Sequence, residues 1–321
     1  MLHRFRHHWR KFRPRNRYRG GREYNYRNSR LDQQHMQTQE RPVFVCSSTD
    51  IFDCAEQQVV DLLQRRPEVN DLERDIPRLV AKFEKTKNPL DGIAAILAQA
   101  PRASLAQVQM DAHPHGYHDK HARLLELIDF NDAVDSTVIA LEPERRREFS
   151  ERMKQASDRM CKRVGAPCFT NDQWDAIMRG LGREIAVYIA AKNHGFYVYM
   201  TNRNQDALGI DLQVQDPESH RYVNLDIKAP SAFRYRLEQL VKENRMTEKQ
   251  LLEADEKSYA SVINGHGKHR VNVVLLSTLP DKFGEVDNFE FLDSTPMRDM
   301  LNHLIQEYGL YDGKFGYTKD Y

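Results

Sequence analysis

Two stretches of strict apolar–polar alternation, 208–215 and 222–229, constrain the fold of this chain more than any other feature. In the first, Ile210, Leu212 and Val214 alternate with Asp211, Gln213 and Gln215. In the second, Val223, Leu225 and Ile227 alternate with Asn224, Asp226 and Lys228. Successive side chains on a strand point to opposite faces, so each stretch has one face for a core and one polar face. The intervening Asp216-Pro217-Glu218-Ser219 has turn composition, which predicts a hairpin. Asp211, Asp226 and Lys228 then share its polar face.

The flanks extend this hairpin into a layered domain. Thr170 or Asn171 is a capping residue for a helix carrying Trp174, Ile177, Met178, Leu181, Ile185, Tyr188 and Ile189, stopped at Asn193-His194-Gly195. A short aromatic strand follows over 196–200. After the hairpin come a helical region over 231–263, a break at Gly265-His266-Gly267, a nearly continuous apolar strand over 271–279 and a last helix over 296–308. That order predicts an α/β fold, a mixed sheet flanked by helices, over 166–321. Upstream, 43–165 reads as a helical region with helices over 55–65, 71–85, 89–99, 121–127 and 142–164. Asn88-Pro89 and Ala100-Pro101 serve as breaks.

Charge is unevenly placed. Residues 1–30 hold eleven Arg or Lys and one acid, Glu23, a net +10. The rest of the chain has 37 basic against 46 acidic residues, a net −9. Phe5, Trp9, Phe12, Tyr18, Tyr24 and Tyr26 are interspersed with those arginines. Guanidinium groups neutralise phosphates and rings stack on bases, so residues 1–42 read as a disordered basic arm and linker suited to nucleic acid. The plainer reading is a solvated tail or an address signal. No apolar run reaches the roughly 18–20 residues of a membrane span, and no apolar stretch follows the charged start as in a secretory signal. Cys46, Cys54, Cys161 and Cys168 are too few and too scattered for a disulfide scaffold, so reduced thiols and a cytoplasmic location are expected.

The hairpin acids carry the chemistry. Mg²⁺ takes hard oxygen ligands, usually one or two carboxylates with water and substrate phosphate. Bound there, it polarises a phosphoryl oxygen and acidifies a water. Lys228, beside two acids, stays protonated and serves to position and stabilise charge rather than act as a general base. Glu184, on the helix before the sheet, completes the set if that helix packs beside the hairpin.

Leu181-Gly182-Arg183-Glu184, Gly209-Ile210-Asp211 and Asp226-Ile227-Lys228 together resemble the PD-(D/E)XK nuclease superfamily, the restriction-endonuclease-like fold, over roughly 171–310. Ile210 stands where the motif's name has proline. The resemblance implies a metal-dependent phosphodiester hydrolase using Mg²⁺ or Mn²⁺. Asp211 and Asp226 would be metal ligands, Glu184 an accessory ligand and Lys228 the catalytic lysine. DNA is favoured over RNA as substrate. A double-strand cutter needs two active sites, which a homodimer supplies. The rival reading is a catalytically inactive nuclease-like protein that binds nucleic acid or assembles with partners. In it Asp226 and Lys228 form an edge-strand salt bridge, and Glu184 pairs with Arg183 or Lys192.

Gln213 and Asn224 share the acids' face and are candidate substrate contacts, as are Ser231, Arg234 and Arg236 after Lys228. The arginines equally suit a solvated helix surface. His113, His115, His118 and His121 with Asp111 and Asp119 read as a polar loop before a transition-metal site. His266 and His269 read as solvated loop residues. No Walker loop or dinucleotide fingerprint is present, which argues against an ATP motor or a nicotinamide enzyme.

Overall fold

A computed structural model describes residues 48–63, 72, 75–113, 125–201, 205, 208–265 and 270–311. All of them fall in one compact unit, 46–321. The basic arm, His115, His118, His121, His266 and His269 lie outside the described residues.

The helical region consists of α1 (Ile51–Leu63), α2 (Ile76–Thr86), α3 (Pro89–Asp111), α4 (Leu125–Ala140) and α5 (Pro143–Arg163). Helix α3 is its axis. Asn88 caps it, its side chain accepting from the Leu90 amide at 3.0 Å, and Pro89 fills the first turn where no amide is needed. The break expected at Ala100-Pro101 does not occur, because α3 runs straight through Pro101. Its residues from Ile93 to Ala103 are almost wholly buried among the surrounding helices. Packing on every side offsets the one backbone bond that a proline removes. Gly92 is required by close approach: a Cβ there would stand 2.3 Å from Thr137 Oγ1 on α4.

Helix α6 (Asn171–Asn193) joins this layer to the sheet. A capping box starts it: Thr170 Oγ1 accepts from the Gln173 amide, and Gln173 Oε1 from the Thr170 amide. Trp174, Met178, Leu181 and Ile185 pack into the helical core. Ala186, Val187, Ala190 and Ala191 pack on the sheet. One helix thus belongs to both cores.

The sheet is mixed, in the order β1-β2-β3-β5-β4, with β1 Tyr197–Met200, β2 Leu212–Gln215, β3 Tyr222–Lys228, β4 Tyr259–Asn264 and β5 Val271–Ser277. β1, β2 and β3 are antiparallel neighbours, β5 runs parallel to β3, and β4 is antiparallel to β5. The expected hairpin forms β2 and β3, with Asp216 accepting from the Ser219 amide at 3.0 Å in its turn. Leu212, Val214, Val223, Leu225 and Ile227 face α6 and α10 (Thr295–Tyr308). The opposite face packs Leu275, Val273 and Ala260 against α7 (Pro230–Lys242) and α8 (Glu248–Lys257). The short α9 (Pro280–Phe283) and the two-residue strands β6 and β7 lie between β5 and α10.

One stretch departs from expectation. The helical reading of 231–263 holds for α7 and α8 but misses β4. Helix α8 ends at Ser258 in the left-handed conformation (φ 70°), and Tyr259–Asn264 then pair along β5. Among the described cysteines Cys161 and Cys168 are free, whereas Cys54 is in a disulfide whose partner lies outside the described residues. The expectation of reduced thiols throughout is therefore corrected. No helix among the described residues is long and apolar enough to cross a membrane.

Candidate active site

Asp211 extends the β2–β3 ladder one step beyond β2. Its amide donates to the Leu225 carbonyl at 2.8 Å, which sets its side chain beside Asp226 on the central strand. Asp211 Oδ2 accepts from the Ile227 amide at 2.6 Å, fixing the carboxylate. Lys228, two residues past Asp226, shares that face. Its Nζ lies 3.7 Å from Asp211 Oδ2 and is ion-paired to Asp226 Oδ1. Both aspartates therefore converge on a single ammonium. The Asp226 side chain is 7% exposed and that of Asp211 9%, against 27% for Lys228. The acids are sealed and the lysine forms their boundary with solvent.

The charges are strongly coupled. Burial, with a smaller contribution from Asp211, pushes the Asp226 carboxyl up to about 7, although Lys228 opposes the shift. Burial alone would lower the Lys228 pKa, but Asp211, Asp226 and Glu184 together raise it. The lysine is thus held as ammonium, and Asp226 readily keeps a proton. A divalent cation fits this donor set: two carboxylates already arranged around one positive charge, one of them carrying a proton that a stronger charge would expel.

Glu184 takes part through its charge on Lys228. Among the described residues no three His, Cys, Asp or Glu side chains are grouped to hold one ion; Asp211 and Asp226 meet at Lys228, and the charge of Glu184 reaches the same lysine. Helix α6, which carries Glu184, packs on the face of Leu225 and Ile227, opposite the acids.

Three neighbours of the pair carried little sequence signal. Gly209 is left-handed (φ +72°), and a Cβ there would stand 2.9 Å from Asn264 Nδ2 and 3.5 Å from Asp226 Oδ2. The left-handed backbone and the closeness of Asn264 favour glycine here. The glycine two residues before Asp211 was the available clue. Thr201, at the end of β1, holds the Asp211 carbonyl through both its amide and its hydroxyl at 3.1 Å. Ser277 stands level with Lys228 on β5, its buried hydroxyl without a hydrogen-bond partner.

The expected substrate contacts are placed differently. Gln213 and Asn224 are buried: Gln213 Nε2 donates to Asn224 Oδ1 at 2.9 Å, and Asn224 Nδ2 to the Asn272 carbonyl at 2.9 Å. They lie beside the acids on the same face of the sheet, tied to each other and to the β5 backbone. Arg234 is engaged by Glu238 and Asp255, and Arg236 by Glu243. Ser231 is exposed in the first turn of α7, three residues past Lys228. A cavity of about 450 Å³ lies toward the opposite end of β3, lined by Asn224, Asn272, Glu307 and Tyr308, and the acid pair does not line it. No protein-family model, curated protein or solved structure matches this chain.

Proposed function

We propose that this chain is a metal-dependent nuclease that hydrolyses phosphodiester bonds, with DNA preferred to RNA. One observation carries the reading: Asp211, Asp226 and Lys228 meet at the end of the central strand, on one face, with the lysine between the acids and solvent. The element order supports it. A helix, three antiparallel strands, further helices and a strand parallel to the third make a mixed sheet flanked by helices, which is compatible with that reading.

Asp211 and Asp226 would hold Mg²⁺ or Mn²⁺, with Glu184 adding negative charge nearby. The bound ion would polarise the phosphoryl oxygen and acidify a water. The protein's own groups do the rest. The Ile227 amide fixes Asp211, and the Lys228 ammonium is the group placed to meet a phosphate at the mouth of the site. A fixed ammonium stabilises negative charge as it develops, without reorganisation.

The test is cleavage of labelled single- and double-stranded DNA and RNA by the full chain in Mg²⁺, Mn²⁺ or EDTA. Metal-dependent cutting that Asp226→Ala and Lys228→Ala both abolish is the expected result. Salt-sensitive binding with no cutting of any polymer, lost on deleting residues 1–30, would instead establish the non-catalytic reading.

A further inference from the structure

The acid face of the sheet continues past Asp211 onto β1, the edge strand. In the β1–β2 register Tyr199 stands opposite Gln213 and Tyr197 opposite Gln215. Both tyrosines therefore share the face of Asp211, while Val198 and Met200 turn inward to the core on the α6 side. Tyr197 is 55% exposed and Tyr199 51%. Two large half-exposed rings thus stand as neighbours on one face. Tyr199 is only two residues from Thr201, whose amide and hydroxyl hold Asp211.

We infer that Tyr197 and Tyr199 form a base-stacking platform that delivers single-stranded nucleic acid to the acid pair. The inference rests on the nuclease reading of that pair and narrows its substrate class. Alternate strand residues are about 6.6–6.8 Å apart, twice the rise per residue. That is about double the 3.4 Å spacing of stacked bases in one duplex strand. Two neighbouring bases can each lie on a ring only if they are unstacked from one another. A duplex keeps its base faces hidden and offers the rings only sugar and phosphate edges. Stacking on aromatic side chains is tolerant of sequence, because every base has a π-face. The aromatic and arginine-rich composition of residues 1–30 suits the same polymer.

The test measures binding of the full chain to a fluorescein-labelled 20-nucleotide thymidine strand and to a 20-base-pair duplex, in EDTA so that no cutting occurs. The wild type is compared with Tyr197→Ala/Tyr199→Ala and with Tyr197→Phe/Tyr199→Phe. The alanine pair should weaken single-strand binding at least about 30-fold, because it removes two stacking contacts of about 1–3 kcal/mol each. Duplex binding should change less than about twofold, and the phenylalanine pair should bind like the wild type. Duplex binding also reports that the variants are folded. Unchanged single-strand binding in the alanine pair would overturn the platform. So would an equal loss for single strand and duplex, or a loss as large with phenylalanine as with alanine. Cutting by the wild type in Mg²⁺, scored separately, distinguishes the two failures. Cutting without the stacking loss sinks the platform alone, and the stacking loss without cutting sinks the nuclease reading while the platform stands.

Discussion

Asp226 gathers the opposing forces of the site in one residue. It is buried, beside a second acid, and compensated by one lysine. Its carboxyl is raised from 3.8 to about 7, so between those values the folded chain holds a proton that the unfolded chain has released. Stability from this group therefore falls as pH rises from about 4 to about 7. Lys228 acts with the opposite sense: its raised pKa contributes stability that is fully present below its ordinary 10.5 and is lost only above it. Urea midpoints of wild type and Asp226→Asn should diverge with pH in the lower window, the wild type losing ground toward pH 7 while the variant does not. Parallel midpoints would refute the assignment. Gly209 offers a second check. Gly209→Ala adds a left-handed strain of about 1–2 kcal/mol and pushes a methyl toward Asn264 and Asp226. It should lower the melting temperature and, if the proposed chemistry is right, the cleavage rate as well.

At the scale of the element, packing partners decide what local sequence leaves open. Gly92→Ala should destabilise the chain by about 1–3 kcal/mol, the usual cost of overpacking, because its Cβ would collide with Thr137 where α3 crosses α4. A urea titration that finds the variant as stable as wild type would contradict that crossing. The legible elements were those with a strong period. β3 and β2 from Leu212 onward follow the alternation, β5 its continuous apolar run, and α6 its cap and apolar spacing; Ile210 departs from the alternation and packs in the opposite core, because the strand begins only at Leu212. Sequence alone stops α3 at Ala100-Pro101 because proline is a breaker by propensity, and only a surrounding core overrides it. β4 was absorbed into a helix because the stop at Ser258 is a left-handed serine, where a glycine would have announced it. Asp211, Asp226 and Lys228 were legible because strand geometry alone puts them on one face. The position of Glu184 was not, since it depends on which face of the sheet α6 covers. Nor was the engagement of Arg234 by Asp255, a residue 21 positions further along the chain.

At the scale of the whole molecule, the helical layer and the sheet share α6, and the compact unit runs from 46 to 321. Trp174 lies in the helical core at the start of that helix, packed against Phe130 and Phe169. Truncating it to alanine should cost about 3–5 kcal/mol and lower the melting of the whole unit, with helix and sheet signals in circular dichroism lost together. Separate transitions would show that the two layers fold independently. The shared helix also ties the site to the helical region, because Glu184 and the residues that pack into the helical core lie on the same element. The measurement that goes most directly to the proposed chemistry is Mn²⁺ binding to the full chain, followed by electron paramagnetic resonance and compared with Asp211→Asn and Asp226→Asn. The expected result is one bound ion in the wild type, lost or severely weakened in both variants. Binding that survives both substitutions, or is absent in the wild type, would contradict the aspartate pair as a metal centre.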